Sequence, residues 1–395
     1  MSIRPGLRIY APALLALAIS GCSSVLPPYL QKAASTPNAD EIRTLATPTP
    51  IPTPVPTGTP VPPLAGAPVG RGEIVFLRNG RLWAAQPDSS GERPVVTAGS
   101  GSIGRGFAAA PSGDYVAFVV DGDTLALLDT ASGQVHEVDS APDDLIGALT
   151  WASDGSYLSY FIVKYKPDDP TVASVQIWQV AMPPGGPNLP IANSVFGITP
   201  NGFMPVAGLD GQRVILTQFS TNDVIYSQAL ILDPASGFKQ LFPPNVAVRY
   251  KVWDVTRDRS QVLIGEDNAL LVAPLGASQT GSLRQISPWD GAVYSAARFA
   301  PDGGRVVALR TVLNAGGEEV TRAVLLAPSA RSSYPMIILG AADPGSDTAL
   351  AWHSESGLVV QRDIPDEDAP SLWFVPLDGQ PGRRITSGSD PVVLP

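Results

Sequence analysis

The sequence predicts an all-β protein and, within that class, a seven-bladed β-propeller with four antiparallel strands per blade. Two observations support this prediction. From residue 73 onward, short apolar runs alternate with Gly, Asp, Ser and Pro turns, and no long segment keeps a helical period. A unit of strand, turn, strand, hairpin, strand, turn and strand also recurs, and its first turns lie 42 to 56 residues apart. The 38 Gly and 41 Pro residues suit a turn-rich β protein with a Pro-rich linker.

The repeat is clearest where two turns are nearly identical. "LLDTASGQVHEV" at 127–138 and "ILDPASGFKQLF" at 231–242 both place Asp and Ser-Gly between two half-apolar runs. Asp can start such a turn through its side chain, and Gly takes the positive-φ position. We interpret both segments as the turn between the third and fourth strands of a blade. One such sheet cannot bury both of its faces, but a ring of sheets covers them.

Six complete units and one incomplete unit account for the ring. The first turns of the complete units are marked by Gly113, Gly155, Gly211, Arg259, Gly303 and Ser356. The segment 73–97 lacks a first strand, and "DPVVLP" at 390–395 is a spare strand. Together they would complete a seventh blade and join the two ends of the domain. Six blades plus a decorating hairpin is the alternative.

The N-terminus has the features of a lipoprotein signal peptide over residues 1–21. Arg4 and Arg8 precede the short apolar run 9–20, which ends in "ISGC". This pattern resembles the lipobox of bacterial lipoproteins and implies lipid attachment at Cys22, the only cysteine of the chain. We therefore expect a lipid-anchored protein on the extracytoplasmic side of a bacterial membrane, in the periplasm or at the cell surface. An ordinary secretory peptide is the alternative.

Residues 22–69 are expected to form a linker between the lipid anchor and the domain 70–395. The stretch "TPTPIPTPVPTGTPVPP" at 47–63 cannot form a helix or a strand ladder, because alternating Pro removes backbone donors. Such a stretch favours extended polyproline geometry. A disordered linker with no required length is an equally good interpretation.

Composition restricts the possible partners. The chain carries 26 Lys and Arg against 36 Asp and Glu, which disfavours nucleic-acid binding. With two histidines and one cysteine, we expect neither a metal site of that type nor a disulfide. "GSGSIG" at 99–104 fits the pattern G-x-G-x-x-G but no helix pattern follows it, so we expect no dinucleotide and no other cofactor.

Two hairpins identify a resemblance to a known family. "FAPDGGRVVAL" at 299–309 and "WASDGSYLSYF" at 151–161 resemble the W-S-P-D-G repeat of TolB-like propellers, a family that includes the propeller domains of prolyl-oligopeptidase-like enzymes. The resemblance covers roughly residues 70–395 and implies a propeller that binds proteins or small ligands. Arg259, where Gly is usual, and "WHSESG" at 352–357 depart from the pattern. No G-x-S-x-G nucleophile motif occurs, so the peptidase chemistry is not expected.

The loops predict which face binds a partner. In a blade, the hairpins between strands two and three and the connections between blades share one face, which we call the upper face. The other turns form the lower face. Upper loops are long at 164–174, 183–205, 314–321 and 363–371, and variable loops on a rigid scaffold usually carry binding sites. The candidate binding-face residues are Asp168, Asp169, Trp289, Glu318, Glu319, Asp363, Asp366, Glu367 and Asp368.

These residues allow two interpretations. Carboxylates on one face could bind a basic partner or a hard cation, or they could be solvated charges that keep the hairpins soluble. Trp83, Trp178 and Trp373 share a third-strand position and are expected in the core, whereas Trp289 lies in a blade connection. The favoured function is a non-catalytic binding or scaffold module for a protein or small ligand. The alternative is a hydrolase or lyase acting on a carbohydrate or lactone through carboxylates at the channel mouth.

Overall fold

The chain folds as a seven-bladed β-propeller, as the repeat predicted. This computed structural model describes residues 65–97, 101–104, 106–166, 169–185, 189–196, 202–209, 211–219, 229–235, 237–240, 250–266, 268–275, 283–327, 336–354 and 356–395. Over these residues the secondary structure consists of strands, bridges and turns. None of the described segments forms a helix long and apolar enough to cross a membrane.

Within the described residues, twenty-nine strands make up the seven sheets. Blade one contains β1 (Ala65–Gly66), β2 (Ile74–Arg78), β3 (Arg81–Ala85), β4 (Arg93–Thr97) and β29 (Ser389–Val393). Blade two contains β5 (Ala108–Ala109), β6 (Tyr115–Val120), β7 (Thr124–Asp129) and β8 (Val135–Ser140). Blade three contains β9 (Leu145–Trp151), β10 (Tyr157–Lys166), β11 (Asp169–Ala181) and β12 (Leu189–Phe196). Blade four contains β13 (Gly202–Gly208), β14 (Val214–Phe219), β15 (Ala229–Asp233) and β16 (Gly237–Gln240).

The remaining three blades follow the same order. Blade five contains β17 (Tyr250–Val255), β18 (Gln261–Glu266), β19 (Ala269–Pro274) and β20 (Arg284–Gln285). Blade six contains β21 (Val293–Phe299), β22 (Val306–Leu313), β23 (Glu319–Leu326) and β24 (Met336–Ile338). Blade seven contains β25 (Ser346–Ser354), β26 (Gly357–Asp363), β27 (Ser371–Pro376) and β28 (Arg383–Ser387).

The two ends of the propeller close the ring in blade one. The C-terminal strand β29 pairs antiparallel with β2, with Ile74 opposite Val393, and so supplies the first strand that the segment 73–97 lacks. This confirms the predicted closure and the count of seven blades. The short strand β1 adds a fifth strand on the outer edge of the same sheet, where Ala65 pairs with Thr97. That outer strand was not predicted.

The turns adopt the conformations that their sequences favour. Asn79 and Gly80 have φ values of 50° and 69°, as the Asn-Gly hairpin signal predicts. In the first turn of blade five, Arg259 takes φ 60°, the left-handed conformation that Gly adopts in most of the other blades. The departure from the repeat pattern therefore leaves the backbone of the turn unchanged.

Two upper-face loops are shorter than predicted, because the strands extend into them. The segment 164–174 was expected to be a loop, but Lys164 pairs with Ser174 and Tyr165 with Ala173 in the β10–β11 ladder. The segment 183–205 was expected to be one long connection, but it contains β12 and the start of β13. Pro190 lies in β12, an outermost strand, where a missing backbone donor is tolerated.

The core lies between the faces of neighbouring sheets. Ile74 and Phe76 of blade one, for example, pack with Val359 and Leu372 of blade seven, and all four are fully buried. The repeated tryptophans join such clusters, as expected: Trp83, Trp178 and Trp373 are half-buried against them. Sheet-on-sheet burial therefore holds each blade in place and leaves the first strands around the centre of the ring.

Candidate functional site

The first strands of the blades surround the central channel. Contacts between β9 and β13, β13 and β17, and β17 and β21 join the first strands of successive blades. Most of these strands contain a β-bulge near the middle, and Ala148, Ala296 and Asp390 take positive φ values in three of them. Bulges bend a strand and change the direction of its side chains. Because the bulge recurs around the ring, it is a feature of the fold and marks no single blade as a site.

Charge distinguishes blades five and six from the others. Along the described parts of the seven first strands, the exposed charged side chains are Lys251 of β17 and Arg298 of β21, and both are cationic. The whole chain has a formal net charge of −10, so the two exposed cations on its central strands have the opposite sign to the net charge of the chain. Exposed charges of one sign attract ligands of the opposite sign. The geometry therefore favours an anionic ligand.

Lys251 lies against an aromatic ring. Its Nζ atom is 3.8 Å from the ring centroid of Trp253, a cation–π contact. Although the side chain is exposed, desolvation of its amine by the surrounding protein, followed by the charge of Arg298, lowers the pKa of Lys251 from its ordinary value of 10.5. A lysine with a lowered pKa has more neutral amine near neutral pH, so it is a better candidate for a general base than an ordinary surface lysine.

Arg298 and Asp254 tie the two first strands together. The guanidinium Nη1 of Arg298 donates to the Trp253 carbonyl at 2.6 Å, and Asp254 Oδ2 accepts from the Phe299 N–H at 2.8 Å. The second carboxylate oxygen of Asp254 accepts from the Val255 N–H. Burial raises the pKa of Asp254, while Arg298 and these backbone donors oppose the shift. We call Lys251, Trp253, Asp254 and Arg298 the channel cluster.

The predicted acidic residues are spread over separate upper loops. Glu318 and Glu319 are exposed at the β22–β23 hairpin, and Asp363, Asp366 and Asp368 are exposed at the β26–β27 hairpin. Asp169 begins β11, and Asp168 lies outside the described residues, as does Cys22. Across the described part of the chain, no group of three His, Cys, Asp or Glu side chains is placed to hold a metal ion.

Some of the acidic side chains already have partners. Glu367 accepts two hydrogen bonds from Arg384, at 2.8 Å and 2.9 Å. The Glu318 backbone N–H donates to Asn314 Oδ1, and its carboxylate accepts from the same amide side chain, so this glutamate closes its own hairpin. These contacts agree with the interpretation of the acidic residues as hairpin surface. The role of this face in binding remains a prediction.

A cleft of about 440 Å³ opens on the lower face, between the first turns of blades five and six. Asp258 and Asp302 lie in these turns, but each accepts a backbone N–H two residues ahead: Asp258 from Ser260 at 3.0 Å and Asp302 from Gly304 at 2.8 Å. Such bonds are typical of turn residues. The carboxylates of the cleft are therefore explained by the repeat, and the channel cluster is the better candidate site.

The sequence analysis missed the channel cluster. It selected acidic loop residues and gave no weight to "KVWD" at 251–254 or to Arg298. The available signal was positional: among the apolar first strands of the repeat, β17 and β21 are the ones that carry a Lys or an Arg. Trp289 was selected correctly as a residue of a blade connection, and it is 69% exposed.

Comparison with known proteins defines the fold but not a family. No model of a known protein family matches this chain, and no curated protein matches it either. Among solved structures, an oligogalacturonate lyase from Vibrio parahaemolyticus is similar, with a TM-score of 0.60 and 10% identity over 80% of this chain and 92% of that chain.

Two further structures extend the comparison. A prolyl endopeptidase is similar with a TM-score of 0.58 and 14% identity, over 83% of this chain and 50% of that chain, so this chain spans about half of that enzyme. TolB from Acinetobacter baumannii has a TM-score of 0.47 and 13% identity, over 82% of this chain and 81% of that chain. No conclusion depends on the TolB similarity, because a TM-score below 0.5 is weak.

These comparisons correct the predicted main function. The sequence analysis favoured a non-catalytic binding or scaffold module, but the lyase and the prolyl endopeptidase are enzymes. That prediction was wrong on this comparison, and the findings agree better with the alternative of a propeller enzyme. At identities this low the similarity shows the fold alone, so a reaction has to be argued from the channel cluster.

Proposed function

We propose that this protein is a lyase that cleaves an acidic oligosaccharide by β-elimination in the central channel. One observation carries the proposal: Lys251 and Arg298 are exposed together on neighbouring first strands, at the centre of an acidic chain. The fold similarity to an oligogalacturonate lyase supports the choice of a uronate substrate. The proposed lyase differs from the alternative predicted from the sequence, because it uses cationic residues instead of carboxylates at the channel mouth.

β-Elimination needs a base and a cation at the same carboxylate. In a uronate residue, the proton next to the carboxylate is removed while the sugar oxygen one carbon further leaves. Neutral Lys251 would take the proton through Nζ, and the electron pair left on carbon would form the C=C bond. The C–O bond then breaks, and the leaving oxygen keeps its electron pair and takes a proton from water. The lowered pKa of Lys251 increases the amount of neutral amine available for the first step.

Arg298 would bind the substrate carboxylate and stabilise the negative charge that develops on it during proton removal. Arginine suits this role because its planar guanidinium matches the geometry of a carboxylate. Asp254 acts as a positioning residue: its bond to the Phe299 N–H holds β21 against β17 beside Arg298. Trp253 packs beneath the Lys251 ammonium and fixes its place in the channel.

The experiment is to incubate the full-length protein, in detergent, with oligogalacturonate and to follow the ultraviolet absorbance of the new C=C bond conjugated to the carboxylate. We expect the absorbance to rise with time, and a neutral oligosaccharide of the same length to give no signal. Lys251→Met should reduce the rate by about 10²-fold or more, the usual contribution of a general base. Lys164→Met is the matched control, because Lys164 is a half-exposed lysine on β10 whose amine pairs with Asp144 at 3.8 Å.

Two results would overturn this proposal. One is a wild-type protein that forms no unsaturated product from oligogalacturonate or from other uronate oligomers. The other is a Lys251→Met variant that is as active as Lys164→Met. Asp254→Asn separates positioning from acid catalysis, because the amide oxygen can still accept the Phe299 N–H, while the bond from the Val255 N–H is lost. A nearly unchanged rate in this variant supports the positioning role.

We also propose that Cys22 is lipid-modified and that the Pro-rich segment 47–63 links the propeller to an extracytoplasmic membrane surface. The support is the basic, apolar and small-residue pattern that precedes the only cysteine. Cys22→Ser should move the protein from the membrane fraction to the soluble fraction after cell lysis. A variant retained in the membrane fraction would contradict lipid anchoring at this residue.

A further inference from the structure

The upper end of blade six exposes an unusual group of apolar side chains. Trp289 is 69% exposed, Val293 is 50% exposed and Leu313 is 68% exposed. Val293 is the first residue of β21 and Leu313 the last residue of β22, so both lie at the upper end of the sheet. Trp289 lies in the connection that leads into β21. We call these three residues the rim patch.

The connection that carries Trp289 is fixed on both sides. Before it, buried Ser287 accepts the Leu270 N–H through Oγ at 2.8 Å. After it, Asp290 accepts the Ala292 N–H at 3.1 Å and the Nη2 of Arg310 at 2.7 Å. The backbone that carries the exposed indole is therefore fixed on both sides, and a ligand that stacks on the ring does not have to order this loop.

Polar groups meet at Asp290, the residue that follows Trp289. Arg310 donates to Asp290 through Nε as well, at 3.1 Å, and the Tyr294 hydroxyl lies 3.5 Å from the same carboxylate. The loop that carries Trp289 thus adds an exposed carboxylate, paired with the half-buried guanidinium of Arg310, to the exposed apolar side chains. A pyranose has the matching chemistry, because its C–H face stacks on an aromatic ring while its hydroxyl groups make hydrogen bonds at the edge.

One residue of the rim patch, Val293, and one residue of the channel cluster, Arg298, lie on the same strand, β21. Val293 and Arg298 are five residues apart on β21, a separation of roughly 15 Å along the strand. Several linked sugar residues are needed to span that distance. We infer that the rim patch is a distal sugar subsite, with Trp289 as its stacking platform, and that the protein prefers longer oligosaccharides to disaccharides. This inference rests on the proposed function.

Binding can be tested without turnover. Isothermal titration of the full-length Lys251→Met protein with a long oligogalacturonate and with digalacturonate should show tighter binding of the long oligomer. Adding Trp289→Ala should weaken binding of the long oligomer by on the order of tenfold and leave digalacturonate binding unchanged. Trp289→Phe should restore most of the affinity, since it keeps an aromatic face.

Leu145→Ala provides the matched control. Leu145 is the first residue of β9, as Val293 is of β21, and it is 42% exposed in a different blade. We expect this substitution to leave the affinity for the long oligomer unchanged. In the active protein, Trp289→Ala should raise KM for the long oligomer and leave kcat unchanged, because the subsite does not touch the reacting atoms.

The outcomes separate the two proposals. If the wild-type protein forms unsaturated product but Trp289→Ala changes neither KM nor affinity, the distal subsite is wrong and the lyase proposal stands. If long oligomers bind in a Trp289-dependent way but no product forms, the subsite is supported and the lyase proposal fails. If neither oligomer binds to the Lys251→Met protein, the subsite is overturned.

Discussion

Two neighbouring interfaces between blades each bring an arginine close to carboxylate groups, and they differ in almost every other respect. We call the interface between blades six and seven the buried seam and the interface between blades five and six the open seam. Between blades six and seven, Arg362 is completely buried and donates to Asp347 at 2.7 Å and to Asp343 at 2.9 Å. Between blades five and six, Arg298 is exposed and donates to main-chain carbonyls, while Asp254 accepts main-chain N–H groups. In the buried seam the charged side chains pair with each other, and in the open seam they form hydrogen bonds with main-chain groups.

The difference shows which charges are structural and which are available. In the buried seam, both carboxylates are also used elsewhere: Asp347 accepts the Ala323 N–H at 2.8 Å and Asp343 accepts the Gly382 N–H at 2.9 Å. Such a network stabilises only if it is complete, because burying an unpaired charge is costly. In the channel cluster, the positive charges of Lys251 and Arg298 remain open to solvent and hence to an anionic ligand.

The largest expected effect is on the buried seam. Arg362→Met removes the guanidinium that donates to both buried carboxylates and should lower the free energy of unfolding by about 3–5 kcal/mol. Chemical denaturation of the purified variant measures this loss. Arg362→Lys, which keeps the charge but loses the planar geometry, should fall between the variant and the wild type. A loss below about 1 kcal/mol for Arg362→Met would show that the network does not hold the seam.

A half-buried ion pair at the ring closure should give an intermediate effect. Glu73 accepts from Arg93 at 2.6 Å and 2.8 Å, beside the strand that closes the ring. The hydrogen bonds from Arg93, opposed by burial, lower the pKa of Glu73 from 4.5. Glu73→Gln should therefore cost about 1–3 kcal/mol at neutral pH.

The sign of the pH dependence follows from that lowered pKa. Ionised Glu73 contributes its full stabilisation above about pH 4.5, and the contribution is lost as the pH falls through the lower pKa of the folded state. The stability difference between wild type and Glu73→Gln should therefore shrink on acidification. A difference that stays constant from pH 7 down to pH 3 would contradict the assignment of this pair.

The electrostatic interaction between Arg298 and Lys251 should be measurable in a titration of Lys251. Because the charge of Arg298 contributes to the lowered pKa of Lys251, Arg298→Met should raise that pKa part of the way towards 10.5. Burial, the larger cause, remains in the variant. Nitrogen-detected NMR of labelled lysine is practical because the chain contains five lysines. An unchanged Lys251 titration would mean that the two cations do not interact, and Arg384→Met serves as a distant control.

The smallest effect is expected at the surface. Glu367 and Arg384 form a well-aligned ion pair, but their side chains are 29% and 45% exposed. Water and salt screen such pairs, so Glu367→Gln should change the free energy of unfolding by less than about 0.5 kcal/mol. Denaturation alongside Arg362→Met provides the measurement. A loss comparable with that of Arg362→Met would show that burial does not determine how much these ion pairs contribute to stability.

Local sequence was sufficient for most of the fold. The Asn-Gly turn at 79–80, the Asp-Ser-Gly turns and the repeated first turns each encode a conformation within a few residues. The spare strand at 390–395 was also recognisable, because the segment 73–97 lacked a partner. The loops at 164–174 and 183–205 were mispredicted since strand pairing, which is not local, extended the ladders through them.

The candidate site was much less predictable. Lys251 and Arg298 are 47 residues apart in the chain, and each is an ordinary surface residue in its local context. Acidic residues drew attention because they cluster in sequence at 363–368, yet sequence clustering placed them on one exposed hairpin. Trp289 could be selected from its position in a blade connection, but the fixing of that connection depends on Ser287 and Asp290 contacts with other strands.

By itself, the sequence determined the class, the repeat, the number of blades and the way in which the ring closes. These follow from short-range physics: strand patterning, turn conformations and apolar faces that need covering. Only the tertiary structure decided which charges are buried and matched and which are exposed together at the channel. Burial and electrostatic coupling depend on distances between residues that are remote in sequence, and closing the ring is what sets those distances.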